Sequence, residues 1–321
     1  MRSIDTWHYR ISALLVAAVL TACGGGSNGP SNSSGLTPTT PPPATPPTPS
    51  APGAPAATGN TATDGFNWFN FRRTSIGLAA LARNSQIDVA AQGHSNYLMA
   101  NNTVAHSQTA GASGFTGANL ADRFTAANYR LSAPFAYGEV ISAASERAGF
   151  YHAEELIAAI YHRFAIFEPV FKEGGTGAAT ASNNYTYFTA DFAASGGYGA
   201  GVGRGMVAVY PGPDQTSVPV NFMSDSEAPD PVPNQNEVGY PISVHANISS
   251  TIIVSSFNVK PRGGSNLPVR TLTRSADSNT PASAAAIIPL GKLAAATTYE
   301  VSFAGTVDGV AVTRNWAFTT K

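Results

Sequence analysis

The chain has 321 residues, enough for two domains, and its 12% charged and 10% aromatic content fits exported globular proteins. The formal net charge is −1; Arg2 and Arg10 against Asp5 give the first segment +1, so the remainder stands at −2 and holds no Lys/Arg block. Without such a block there is no electrostatic footprint for nucleic acid, and that function class is set aside.

The chain opens with Arg2 and Arg10 around a polar start, followed by a nearly continuous apolar run from Ile11 to Leu20. That run is too short for an ordinary membrane-spanning helix and suits a cleaved signal peptide over residues 1–23. It ends in Leu20-Thr21-Ala22-Cys23, then Gly24-Gly25-Gly26, and Cys23 is the only cysteine. This resembles the lipobox of bacterial lipoproteins. The resemblance implies cleavage before Cys23, acylation of that residue and an anchor in the membrane. Gly24 in place of an acidic residue favours, by the same analogy, the outer membrane over the inner. The expected location is the cell envelope, periplasmic or surface-exposed. A plain signal peptide with an incidental cysteine is the other reading. With no second cysteine, both domains must be held by their cores alone.

Residues 24–63 are Gly/Ser/Asn-rich and then Thr/Pro-rich, with no aromatic residue. Such a segment buries too little apolar surface to offset its ordering entropy, so a disordered linker is expected there. Order is expected from about Asp64. Ile87, Ala90, Ala91, His94 and Leu98 fall at helical spacing, and a shorter helix is expected at about Leu120 to Ala127. Another is expected over Ala153 to Phe164, with Ile157, Ile160, Tyr161 and Phe164 on one stripe and Pro169 beyond its end. Two strand-like runs follow, Tyr185 to Phe192 and Met206 to Tyr210. Helices first and strands later point to an α+β domain over residues 64–212.

Beyond Pro211 the texture is short alternating strands: Ile252 to Val254, then Tyr299, Val301 and Phe303, then a tight Asp308-Gly309 turn and Trp316 with Phe318. The only helical signal there is the alanine run at Ala282 to Ala286. Residues 213–321 are therefore expected to form a small all-β sandwich of immunoglobulin or fibronectin-III type. The ending W-A-F-T-T resembles the last strands of bacterial Ig-like modules.

The central domain carries an ordered series of short elements. N-x-x-R at Asn70 and G-L-x-x-L at Gly77 precede the helix I-D-V-A-A-Q-G-H-S-N-Y-L and then N-N-T-V-A-H-S. F-T-G, D-R-x-x-A-A-N-Y, Y-G-E-V, Y-H-R-F-A-I-F-E-P, G-G-T-G and F-T-A-D-F follow in turn. Taken together, Asn67 to Tyr210 resembles the CAP superfamily of cysteine-rich secretory, antigen-five and pathogenesis-related proteins, in its bacterial branch. The resemblance implies an α-β-α sandwich with a shallow cleft whose His and Glu side chains hold a divalent cation in several members. Matched by motif, the cleft residues are His106, Glu139 and His162; separately, Asp191 alternates with Phe192 on a strand and is expected to face the cleft. The second Glu and second His of the eukaryotic pattern fall near Ala159 and Tyr187, so that tetrad is incomplete.

On a continuous helix His162 lies about 140° from Ile157 at about 100° per residue, off the apolar stripe and on the face of Glu155. Two imidazoles and a carboxylate make an open three-ligand site of the kind zinc prefers, with calcium the alternative cation. The alternative, that His106 and Glu139 bond loop backbone and shape the cleft, stays open. His94, on the apolar stripe, reads as a satisfied core histidine. His152 and His245 read as surface residues, and Arg73 and Asp122-Arg123 as structural pairs or caps. Gly196 to Gly205 joins no strand to a helix and is no nucleotide fingerprint. Ser95 beside His94 forms no triad, because adjacent helix positions face different ways.

Two functions follow as expectations. The first is a lipid-anchored binding or interaction module whose partners are a lipid, a sterol-like molecule or a protein. The second is a metal-assisted, peptidase-like hydrolase with Glu139 as general base and His106 and His162 as ligands or proton carriers.

Overall fold

Asn60 opens the first helix: its side chain accepts from the Thr63 amide, and α1 then runs over Thr61–Ser75. The computed structural model describes residues 51–321, so the expected leader, Cys23 and most of the linker lie outside the described residues. Order starts earlier than the composition implied, because Ala54 already packs on the core and α1 begins three residues before Asp64. The Asp64 carboxylate explains this. It accepts from the Thr58 amide, the Thr58 hydroxyl and the Gly59 amide, and so folds the preceding turn back onto the helix.

A short β1 (Ala82–Arg83) leads into α2 (Ser85–Asn101), capped by Asn84, and α3 (Leu120–Ala126) starts with a capping box made by Asn119 and Asp122. β2 (Ala136–Ala144), α4 (Gly149–Ala158), α5 (Ile160–Ile166), β3 (Glu173–Thr180) and β4 (Thr186–Ala194) complete the first domain. Its sheet has the order β1-β3-β4-β2. α2 packs on one face, and α1 and α4 pack on the other, which gives an α-β-α layering.

The alternation of β4 sorts its residues between these layers. Phe188 and Phe192 enter the apolar core with Phe69, whereas Thr189 and Asp191 face α2. Glycine brings the helix down onto the sheet. A Cβ on Gly175 would lie 2.3 Å from the Asp88 backbone nitrogen, and one on Gly177 would lie 2.2 Å from that of Gln92. The G-G-T-G element is thus the seat of α2. Asp88 and Gln92 turn back to accept from the amides of Thr176 and Ala178.

The single helix expected over Ala153 to Phe164 is two. The chain leaves helical geometry at Ala159, where ψ is 116°, and restarts as α5. The angular projection of His162 from Ile157 therefore does not hold.

The C-terminal part contains β5 (Ala208–Tyr210), β6 (Gln215–Val218), β7 (Asn221–Met223), β8 (Glu237–Gly239), β9 (Ile242–His245) and β10 (Ile252–Pro261). β11 (Val269–Leu272), β12 (Ala284–Pro289), β13 (Thr298–Val307) and β14 (Val310–Thr320) follow. They form two four-stranded sheets, β10-β13-β14-β6 and β11-β12-β9-β5, with β7 and β8 paired separately. Asp308 and Gly309 both have positive φ, as a tight turn between β13 and β14 requires. β5 pairs with β9, so the strand at 208–210 belongs to the C-terminal sheets and the domain boundary precedes it rather than falling at 212.

The alanine run at 282–286 is not helical. From Ala284 it is strand β12, buried on both faces, and so shows no alternation that would reveal a strand in the sequence. One face carries Ala285 and Ile287 into a core shared with the first domain. The other carries Ala284, Ala286 and Ile288 against Tyr161 and Phe164 of α5. The two halves are thus packed together through apolar surface.

Candidate functional site

Glu139 on β2 and Asp191 on β4 are direct cross-strand partners, so their carboxyl groups share the sheet face that α2 covers. Both are buried. Glu139 is held from two sides: Arg123 of α3 donates Nη2 to Oε2 at 2.5 Å, and His106 donates Nδ1 to Oε1 at 2.8 Å. The Arg123 guanidinium and the neighbouring imidazoles overcome the effect of burial and hold Glu139 below the usual carboxylate range. For Asp191 burial comes first and the Glu139 charge second. Both push it well above that range. Neither Asp191 oxygen has a hydrogen-bond partner among the described residues.

The loop between α2 and α3 is pinned around this pair. Arg123 Nη1 donates to the His106 carbonyl at 2.9 Å, while Gln108 Oε1 accepts from the Thr116 amide at 2.7 Å. Gln108 Nε2 donates to His94 Nδ1 at 2.9 Å, which leaves the proton of His94 on Nε2 for the Ala105 carbonyl at 2.9 Å. Burial pushes His94 down to about 4, so the ring is neutral near pH 7. His94 is a satisfied buried histidine, 3.9 Å from Glu139. His106 is the cluster's outlet to the surface, with its side chain 16% exposed. Ser95 bonds the Gly177 carbonyl and the Thr189 hydroxyl, far from a nucleophile's arrangement.

Of the sequence-derived site residues, the structure brings together His106, Glu139 and Asp191 and separates His162 from them. His162, 1% exposed, sits in the first turn of α5 and donates Nδ1 to Glu227 at 3.0 Å. Because α5 restarts after the break at Ala159, His162 faces the C-terminal domain. The three-ligand cation site is therefore corrected. No group of three or more His, Cys, Asp or Glu residues placed to hold a metal occurs among the described residues. The donor set at Glu139 does not fit a cation either, since its two oxygens already face a guanidinium and an imidazole N–H.

His152 and His245 are buried rather than on the surface. His152 bonds the Ser142 hydroxyl and the Glu146 carbonyl, and His245 bonds the Ser243 hydroxyl. Burial lowers both, His245 to about 3. Arg73 donates to the carbonyls of Ala79, Ile166 and Glu168, as a structural role implies.

The polar residues that sequence reasoning missed form the joint between the domains. Arg163 lies between the rings of Tyr210 and Tyr240, 4.9 and 5.0 Å from their centroids, and donates to the carbonyls of Ile157 and Pro241. Glu168 accepts from the amides of Val170 and Ile248, and burial pushes its carboxyl up to about 8. Glu227 sits at the start of a Pro/Asp/Asn-rich stretch, and nothing local marks it as buried.

Residues 66–192 match the family model of CAP, the Cysteine-rich secretory protein family. They form a CAP/SCP family domain, mixed helix and strand, followed by a strand-rich region. Two solved structures are similar to part of the chain. One is an extracellular protein containing a SCP domain from Bacillus anthracis str. Ames, at 22% identity and TM-score 0.33, over 41% of this chain and 39% of that one. The other is an outer surface protein from Borrelia burgdorferi, at 16% identity and TM-score 0.34, over 40% of this chain and 89% of that one. The alignment thus spans about two fifths of the length of the Bacillus protein. No curated protein matches the chain.

Proposed function

We propose that the protein is an exported lipoprotein, anchored through acylated Cys23, whose CAP domain is a binding module for a lipid-like ligand at the His106 cleft. The strand-rich half would act as an immunoglobulin-like support, and the outer membrane is the proposed site of anchorage. The observation that carries this reading is the internal neutralisation of the cleft. Glu139 is paired to Arg123 and His106, so its charge is compensated within the cluster, and His106, 16% exposed, is where that cluster meets the surface. A carboxylate held below its usual range is a weak proton acceptor, which counts against Glu139 as a general base and against the hydrolase reading. Export and anchoring are supported by the charged start, the apolar run and the small residues before Cys23.

Two experiments test the reading. Cys23→Ser should move the protein from the membrane fraction to the soluble one; retention in the membrane would sink the anchor. On the soluble full chain, a fluorescent sterol and a fluorescent phospholipid are titrated with and without His106→Ala. Saturable binding weakened by that substitution supports the cleft. Absence of binding, or turnover of peptide or ester substrates that is lost in Glu139→Gln, overturns it.

A further inference from the structure

The described chain enters the fold at a sharp turn. The Ala54 amide donates to the Ala51 carbonyl at 3.0 Å, and Gly53, at φ 77°, follows Pro52. A Pro-Gly pair with positive φ at the glycine is the signature of a type II turn. The arm after the turn is pinned, because Ala54 packs on the core and Asp64 accepts from Thr58 and Gly59. The chain that precedes Ala51 is therefore directed back along residues 54–59.

That direction leads to a groove of about 960 Å³ between α4 and the C-terminal domain, with Ala51, Ala57 and Gly59 in its rim. Tyr151 of α4 stands on one wall, and Pro219 and Met223 stand on the other. Tyr151 and Met223 are 37% and 44% exposed, so apolar surface lies open on both sides.

The charges of the groove are already matched. Arg72 pairs with Glu154 at 3.0 Å, Glu146 accepts the amides of Arg147 and Ala148, Arg147 reaches Asn184, and Glu155 has Lys321 as its counter-charge. The hydroxyls of Tyr151, Thr216 and Ser217, in contrast, have no hydrogen bond among the described residues. An occupant that suits these walls is uncharged, offers small apolar faces, and brings carbonyl acceptors without amides that need partners of their own.

Residues 41–50 read P-P-P-A-T-P-P-T-P-S, with six prolines and no charge. Proline has no N–H and fixes φ near the polyproline II value, so such a segment is extended in advance and binds at little entropic cost. At ~3.1 Å per residue it reaches about 31 Å. Tethering gives it an effective concentration on the order of millimolar, so even a weak intrinsic affinity fills the groove.

We propose that residues 41–50 dock in this groove as a polyproline II strand, with proline rings on Tyr151 and Met223 and main-chain carbonyls on the free hydroxyls. The stalk is thereby strapped across both domains, and the span from Cys23 to the strap is residues 24–40. The docking depends neither on acylation of Cys23 nor on the His106 cleft, and its test is independent of both.

The test uses the full chain carrying Cys23→Ser, which leaves no native cysteine, with a nitroxide spin label on Thr45→Cys or on Ser33→Cys. In electron paramagnetic resonance spectra the label at 45 is expected to tumble about fivefold or more slowly than the label at 33. Met223→Arg, at an exposed position, should remove most of that difference without moving the melting temperature. Pro46→Gly with Pro47→Gly should do the same by making the extended form costlier to order, and it touches no described residue. Equal mobility at the two labels, or a slow label at 45 that neither variant releases, overturns the proposal. A slow component that disappears on dilution also overturns it, since the groove is then filled by the segment of a second copy.

Discussion

The Oε1 atom of Glu227 lies 3.0 Å from Nδ1 of His162, and both side chains are buried. The same carboxylate also accepts from the backbone amides of Ile160 at 2.8 Å, Tyr161 at 2.7 Å and His162 at 3.3 Å. Ala159 stands at the N-cap of α5 and has no side chain able to satisfy those amides. A residue of the C-terminal region therefore supplies the cap, and the negative charge meets the positive end of the helix. The Y-H-R-F element, which the family resemblance places at the cleft, here fastens the two domains together.

Glu227→Ala should leave three amides and an imidazole buried without their acceptor, and it should cost about 3–5 kcal/mol of stability. Glu227→Gln keeps one acceptor oxygen and should lose less. Urea unfolding checks both variants by their midpoints. A midpoint for the alanine variant equal to that of the parent would show that the cap carries no weight.

Arg163→Lys keeps the charge and loses the plane. The guanidinium fills the space between Tyr210 and Tyr240 and points donors at two carbonyls at once, which a lysine ammonium cannot reproduce from a single point. Thermal unfolding should show a loss of about 2–3 kcal/mol. The variant should also be cut more readily by protease between 195 and 207. Parental stability and protease resistance would mean that only charge matters at this position.

How far the sequence reveals the molecule depends on how local the cause is. The α2 stripe was readable because Ile87, Ala91 and Leu98 bury one face of an amphipathic helix, and β13 because its buried and part-exposed residues alternate strictly. β12 was not readable, since burial on both faces erases that alternation. His106 and Glu139 were found through motif order and do meet. His162 was misplaced because the break at Ala159 carries no proline or glycine to announce it, and the partner that turns it away, Glu227, is 65 residues distant. Burial of His152 and His245 was likewise invisible, because each is satisfied by a serine or carbonyl that only the fold brings near.

Gly177→Ala tests the seat of α2. The added methyl would lie 2.2 Å from the Gln92 backbone nitrogen and 2.3 Å from its Cα, and neither atom can swing aside as a side-chain tip could. The helix must lift from β3, breaking the Ala178 amide bond to Gln92. A loss of about 2–4 kcal/mol is expected in chemical denaturation. A loss below about 0.5 kcal/mol would show that α2 is not tightly seated.

Glu168 sets a pH dependence whose direction follows from its surroundings. Burial raises its carboxyl from 4.5 to about 8, the amides of Val170 and Ile248 and the charge of Arg73 being too weak to reverse it. The folded state thus holds a proton that the unfolded state has released, so this group favours folding below about pH 4.5 and loses that contribution as pH rises through about 8. Over this window its share of the stability slope approaches one proton, about 1.4 kcal/mol per pH unit, falling with increasing pH. Glu168→Gln keeps an oxygen for both amides and removes the titration. Guanidinium unfolding at intervals from pH 5 to 9 should show the variant gaining on the parent as pH rises, then a constant difference above pH 8. Parallel pH profiles for the two proteins would mean that Glu168 is ionised in the folded state.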